Sequence, residues 1–117
     1  YGYSKMSKKE QEQVGKFIED YLFNRKEISL IIFLIDIRHS PSANDRLMYN
    51  YIISSGLPFI ILANKADKIA ITKVDNAVLD LQKQINPIGD ITTLPFSSER
   101  KIYKDSVWSI IDDYLNL

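Results

Sequence analysis

The chain has 117 residues, 45% of them hydrophobic, which is material for one compact core, and no shift of composition divides it in two. Fifteen basic residues balance fifteen acidic ones, so the overall positive field that marks a nucleic-acid binder is missing. There is no cysteine and a single histidine, His39, which excludes disulfides, thiolate metal sites, cysteine nucleophiles and histidine metal clusters. Lys5, Lys8, Lys9 and Lys16 near the start, and Arg100, Lys101 and Lys104 near the end, read as solvated helix faces. The longest apolar runs, Leu30 to Ile35 and Leu57 to Ala63, fall well short of a bilayer's width, and nothing at the N-terminus resembles a signal peptide. A cytoplasmic protein with no membrane partner is expected.

In chain order, the spacing of Val14, Phe17, Ile18, Tyr21 and Leu22 predicts a helix over Ser7 to Asn24, with Ser7 and Glu10 placed for a capping box. Ser29 to Ile35 is a continuous apolar run without alternation, as expected of a strand buried on both faces of a parallel sheet. After the Arg38-His39-Ser40-Pro41 turn, Ser42 is placed to cap a second helix with Leu47, Met48, Tyr51 and Ile52 inward and Gly56 closing it. Pro58 to Ala63 reads as the next buried strand. A third helix begins near Thr72, turns Val74, Ala77, Val78, Leu81 and Ile85 to one side, and stops at Asn86-Pro87. Thr92 to Phe96 is a shorter strand, and Val107, Ile110, Ile111, Tyr114 and Leu115 stripe a last helix. The alternation predicts an α/β fold built on a parallel sheet flanked by helices. Three strands make a thin sheet, and the apolar Leu30 to Ile35 run implies further strands beside it.

Ligands of such sheets bind outside the carboxyl ends of the strands, which directs attention to the loops at Asp36, Asn64 and Ser97. Asn64-Lys65-Ala66-Asp67 follows the strand Phe59 to Ala63 and matches Asn-Lys-x-Asp, the base-recognition motif of GTP-binding proteins. An ionised Asp67 can accept one hydrogen bond from the guanine ring N–H and one from its exocyclic amine. Adenine offers neither donor in that arrangement, so Asp67 is the expected specificity residue. The methylene stem of Lys65 can lie against the base plane, while Asn64 can bridge neighbouring loops. Phe96-Ser97-Ser98 stands one helix and one strand later, where a backbone N–H would meet the guanine carbonyl oxygen; Ser98 is also placed as a helix cap. Arg38 is placed to pair with Asp36 or Asp45 and lock its turn, or to face a partner, and His39 carries no assigned catalytic task.

Together these segments resemble the EngB family (also called YsxC or YihA) of Ras-like GTPases along nearly the whole chain. Tyr1-Gly2-Tyr3-Ser4-Lys5 is similar to the stretch after that family's Asp-x-Pro-Gly second switch, and Ser7-Lys8-Lys9-Glu10 with Gly15-Lys16 continues the likeness. Asp36-Ile37-Arg38-His39-Ser40-Pro41, with Asp45, Met48 and Tyr51, resembles the family's Asp-x-Arg-His-x-Pro segment, which is more specific than the base motif. Many members have threonine where this chain has Asn64, and asparagine is the general GTPase choice. The resemblance implies the three-layer P-loop NTPase (G-domain) fold, with only its C-terminal half present in residues 1–117. It also implies GTP or GDP as ligand, magnesium held by the parent protein, and large-subunit ribosomal RNA and protein as partners in ribosome assembly and cell division.

The chain contains no Gly-x-x-x-x-Gly-Lys-Ser/Thr phosphate loop and no Asp-x-x-Gly. Phosphoryl transfer is catalysed by positioning and charge neutralisation at the phosphates, so these residues alone are expected to bind guanine nucleotide weakly and to leave GTP unhydrolysed. The parent protein is the expected GTPase. A portion starting inside the second switch would expose one edge of the Ser29 to Ile35 strand, and self-association is expected of it. Two other readings compete. In a nucleotide-independent α/β interaction module, Asn64 to Asp67 is only a loop; in a phospho-acceptor domain, Asp36 is the acceptor, although no acidic pair precedes its strand.

Overall fold

The computed structural model describes residues 7–24, 27–89 and 91–115. The Tyr1 to Lys5 stretch singled out above therefore lies outside the described residues. Four helices and three strands alternate: α1 (Lys8–Asn24), β1 (Ile31–Asp36), α2 (Ala43–Ser55), β2 (Phe59–Asn64), α3 (Val74–Ile85), β3 (Thr93–Pro95) and α4 (Lys101–Leu115). The strands are all parallel in the order β1-β2-β3. The register sets Ile31 beside Phe59, Asp36 beside Asn64, and Ala63 beside Pro95, so all three strands end at one level and their following loops converge.

Alternation along β2 builds the layers. Ile61 and Ala63 point to one face, where they meet Phe33 and Ile35 of β1, Tyr49 and Ile52 of α2, and Val74, Val78 and Leu81 of α3. Ile60 and Leu62 point to the other face, against Val107, Ile110 and Ile111 of α4. The central strand is thus buried on both sides, as its unbroken apolar sequence requires.

The same expectation fails for β1. Ile32 and Leu34 remain 42% and 50% exposed. They lie in register with Ile60 and Leu62, on the face that carries α4. One helix about 10 Å across covers only two strands spaced about 4.8 Å apart, and α4 rests on β2 and β3. In the sheet of described residues β1 is an outer strand, with no strand beyond it. An apolar cleft of about 350 Å³ runs along this edge, between Ile18 and Leu22 of α1, Met48 and Ile52 of α2, and Ile32 and Leu34.

The helix boundaries follow local chemistry. Ser42 caps α2 with a complete capping box: its hydroxyl accepts from Asp45 N–H (3.0 Å), and Asp45 accepts from Ser42 N–H (3.0 Å). That reciprocal pair satisfies two otherwise orphaned donors and stabilises the helix by about 1 kcal/mol. Gly56 ends it at φ 70°, a left-handed position that glycine adopts without a Cβ penalty. At α1, Ser7 Oγ accepts from Glu10 N–H at 3.2 Å.

Three helical stripes differ in detail from expectation. In α2 the buried pair is Tyr49 and Ile52, while Leu47 is exposed. Tyr49 meets Phe59 edge-on at 6.0 Å, and its hydroxyl accepts from Asn86 Nδ2 at 3.2 Å, which draws that side of the helix inward. In α1, Phe17 and Tyr21 are exposed and lie against one another with ring centroids 6.3 Å apart. In α4, Tyr114 and Leu115 are partly exposed, and Val107, Ile110 and Ile111 make the contact with the sheet.

Candidate functional site

Three backbone hydrogen bonds join the loops at the carboxyl end of the sheet. Ile37 N–H donates to Asn64 O (2.9 Å), Phe96 N–H to Ala63 O (2.9 Å), and Ala66 N–H to Phe96 O (3.0 Å). They prolong the parallel ladder by one step on each side, so the segments at Asp36, Asn64 and Phe96 share one rigid frame. At Asn64 the bond runs through the main-chain carbonyl oxygen.

Within that frame the chain turns sharply. Lys65 adopts φ 64° and ψ 35°, the left-handed conformation, and it is the one non-glycine residue with positive φ among the described residues. Such a conformation costs a side-chain-bearing residue roughly 1–2 kcal/mol. It is held by Lys68 N–H donating to Lys65 O (3.0 Å) and by Ala66, fully buried beneath it. The turn leaves the Lys65 side chain half exposed and leads into the 3₁₀ turn Ala66–Lys68 that carries Asp67.

Asp67 is partly buried and well supported. Ser97 Oγ, itself buried, donates to Asp67 Oδ1 at 2.8 Å, and Lys68 Nζ approaches Oδ2 at 3.6 Å. The Ser97 hydroxyl, more than Lys68, holds the Asp67 carboxyl below its ordinary pKa, so at neutral pH it is a carboxylate and acts only as an acceptor. Ser97 also accepts from Glu99 N–H at 3.0 Å. Ser97 thus closes a turn ahead of α4, which starts at Lys101, and Ser98, the residue expected to cap that helix, is exposed beside it. The structure brings Asn64, Lys65, Ala66, Asp67, Phe96 and Ser97 together.

At the end of β1, Arg38 grips Asp36 and not Asp45. Its backbone N–H donates to Asp36 Oδ1 (2.9 Å), Nε to Oδ1 (3.1 Å), and a terminal guanidinium nitrogen to Oδ2 (2.9 Å). Lys65 Nζ lies 3.7 Å from the same Oδ2. The Arg38 hydrogen bond is the chief cause that pulls the Asp36 carboxyl down to about 2, and the Asp67 charge is close enough to contribute to the raised pKa of Arg38. With both oxygens engaged, Asp36 is poorly placed as a phospho-acceptor, and no group of three His, Cys, Asp or Glu side chains among the described residues could hold a metal ion. His39 is exposed and lines a small polar depression of about 180 Å³ with Arg38, Ser40, Asp80 and Gln84.

The Asp36 pair has a pH signature. A carboxyl whose folded pKa lies below its unfolded value of 3.8 stabilises the fold above that value, and the gain is lost as pH falls towards about 2. Because both partners are partly open to solvent, the contribution is small. Asp36→Asn is expected to lower the urea midpoint at neutral pH and to lose that deficit between about pH 4 and pH 2, which denaturation at stepped pH measures.

No protein-family model matches the chain. Among solved structures, the crystal structure of a probable GTP-binding protein engB superposes with a TM-score of 0.73. Sequence identity is 21%, over 95% of this chain and 69% of that one. The likeness shows the fold: a P-loop GTPase-like α/β architecture, with a parallel three-stranded sheet flanked by helices. Among the described residues no helix is long and apolar enough to cross a membrane.

Proposed function

We propose that this chain supplies guanine recognition to a GTP-binding protein, as the C-terminal part of a single EngB-type G domain spanning residues 1–117. The observation that carries this is the Asp67 carboxylate, ionised, oriented by Ser97 and set at a strand end. Guanine presents two adjacent N–H donors to such a group, and a carboxylate can accept both while keeping the Ser97 bond, since its two oxygens offer about four lone-pair directions. The half-exposed Lys65 stem provides an apolar ledge for the base plane. Phe96 and Ser97 bring backbone close to the base's remaining edge, with Ser98 next to them.

The phosphates and magnesium are assigned to polypeptide outside these residues. Bound magnesium would neutralise phosphate charge; the acidic side chains described here form no cluster that fits it. Support for a missing part comes from β1, whose outer edge and exposed Ile32 and Leu34 form the kind of surface that a further strand and helix bury. The parent protein is then the GTPase, cytoplasmic, and acts with the large ribosomal subunit during its assembly, a role drawn from the resemblance of the Asp36 to Pro41 segment and the G-domain fold. On its own, this chain self-associates through the open edge.

Calorimetric titration of GDP and magnesium tests the reading in the natural full-length protein and in the 117-residue chain. Binding at least about 100-fold tighter in the former is expected, because the phosphate cradle supplies much of the affinity. Equal affinities would remove the split site, and no binding by either would favour the interaction module. Sedimentation of the full-length protein with large ribosomal subunits, dependent on a GTP analogue and abolished by GDP, is the corresponding test of the partner.

A further inference from the structure

Asp36 lies outside the residues that would touch guanine, yet its surroundings are built around it. Three N–H groups of Arg38, one from the backbone and two from the guanidinium, converge on its two oxygens. Such a bidentate clamp fixes a carboxylate in both position and plane. The parallel register sets Asp36 directly beside Asn64, the residue before Lys65, and the left-handed turn at Lys65 sends its side chain back over the neighbouring strand end. The ammonium then comes to rest 3.7 Å from the clamped oxygen.

A lysine stem exposed to this degree carries rotamer entropy that a ligand would have to freeze on stacking against it. A tether at the far end of the stem removes part of that cost before the ligand arrives. We infer that Asp36, clamped by Arg38, is a positioning residue of the guanine site: it holds the Lys65 ammonium so that the Lys65 stem lies ready across the base-binding face. Arg38 serves a second purpose in this arrangement. Its charge offsets Asp36, so that a carboxylate can sit near Asp67 without repelling it. The inference rests on the guanine reading and deepens it, since it assigns a role to two residues of the Asp36 to Pro41 segment.

A double-mutant cycle on the natural full-length protein tests it, read as GDP affinity by calorimetry beside each variant's thermal midpoint. The ion pair is partly exposed, so a modest effect is expected: Asp36→Asn weakens GDP about fivefold. In a Lys65→Met background, which keeps an apolar stem and has no ammonium to hold, Asp36→Asn should change GDP affinity less than twofold. An equal loss in both backgrounds would show that Asp36 only braces its own turn, and no loss in either would remove its role; both overturn the inference while leaving the guanine reading intact. A wild-type protein that binds no GDP overturns the guanine reading itself. Arg38→Gln, which leaves the carboxylate present but unclamped, repeats the cycle with the same expected coupling if Asp36→Asn does not fold.

Discussion

Asp67→Asn is expected to shift the nucleotide preference of the full-length protein from guanine to xanthine, with the GDP-to-XDP affinity ratio changing by at least about 100-fold. A carboxylate accepts from both the ring N–H and the exocyclic amine of guanine. An asparagine amide has one acceptor and one donor, which suits xanthine, where a carbonyl replaces the amine. In GDP the asparagine would set an NH₂ against an NH₂ and leave both without an acceptor, the situation that costs most in a partly buried site. Asp67→Ala offers no acceptor and should bind neither nucleotide well. The Ser97 hydroxyl, 2.8 Å from Asp67 Oδ1, can serve either residue at 67, so the variant keeps its local support. Competition titration with GDP, XDP and ADP measures the shift; unchanged GDP binding in both variants would separate Asp67 from recognition.

A comparably large effect, on stability, is expected at the centre of the sheet. Ile61 has no exposed surface and is paired to β1 on one side and β3 on the other. Ile61→Ala removes buried methyl groups and leaves a space that strands held in two ladders cannot close, a loss of about 3–5 kcal/mol. Against a total stability of about 5–15 kcal/mol, that leaves a marginal fold. Ile32→Ala, at a residue 42% exposed on the outer strand, should cost under about 1 kcal/mol in the 117-residue chain. If further polypeptide covers β1 as proposed, the cost of Ile32→Ala rises in the full-length protein while that of Ile61→Ala stays the same. Urea midpoints of the two variants in both lengths give the comparison.

The contrast between these isoleucines marks what the sequence could convey. Ile-Ile-Phe-Leu-Ile in β1 and Phe-Ile-Ile-Leu-Ala in β2 are equally apolar, and both were legible as strands of a parallel sheet. Only position in the sheet distinguishes them: α4 reaches β2 and stops, leaving Ile32 and Leu34 open. Helix stripes carry the same ambiguity. The spacing of Phe17 and Tyr21, or Tyr114 and Leu115, defines a face and says nothing of whether a neighbour lies opposite it.

Caps were legible to the residue at Ser42 and Gly56 because their chemistry is local. The segment Asn64 to Asp67 was legible as the loop at a strand end, because its elements are contiguous. The contacts that organise the candidate site join residues far apart in sequence, Ser97 to Asp67 and Lys65 to Asp36. They depend on strand register, which short apolar runs do not specify. The Arg38 clamp on Asp36 was one of two pairings open in the sequence, and Asp45 serves the capping box at Ser42.

The most direct test of guanine recognition needs only the 117-residue chain, labelled with ¹⁵N and titrated to millimolar concentrations with GDP and, separately, ADP. Recognition through Asp67 predicts GDP-dependent amide shifts confined to residues 64–68 and 96–98, with a dissociation constant of about 1 mM or somewhat below, and little response to ADP. Matching shifts with both nucleotides, or none at these residues with GDP, would contradict it.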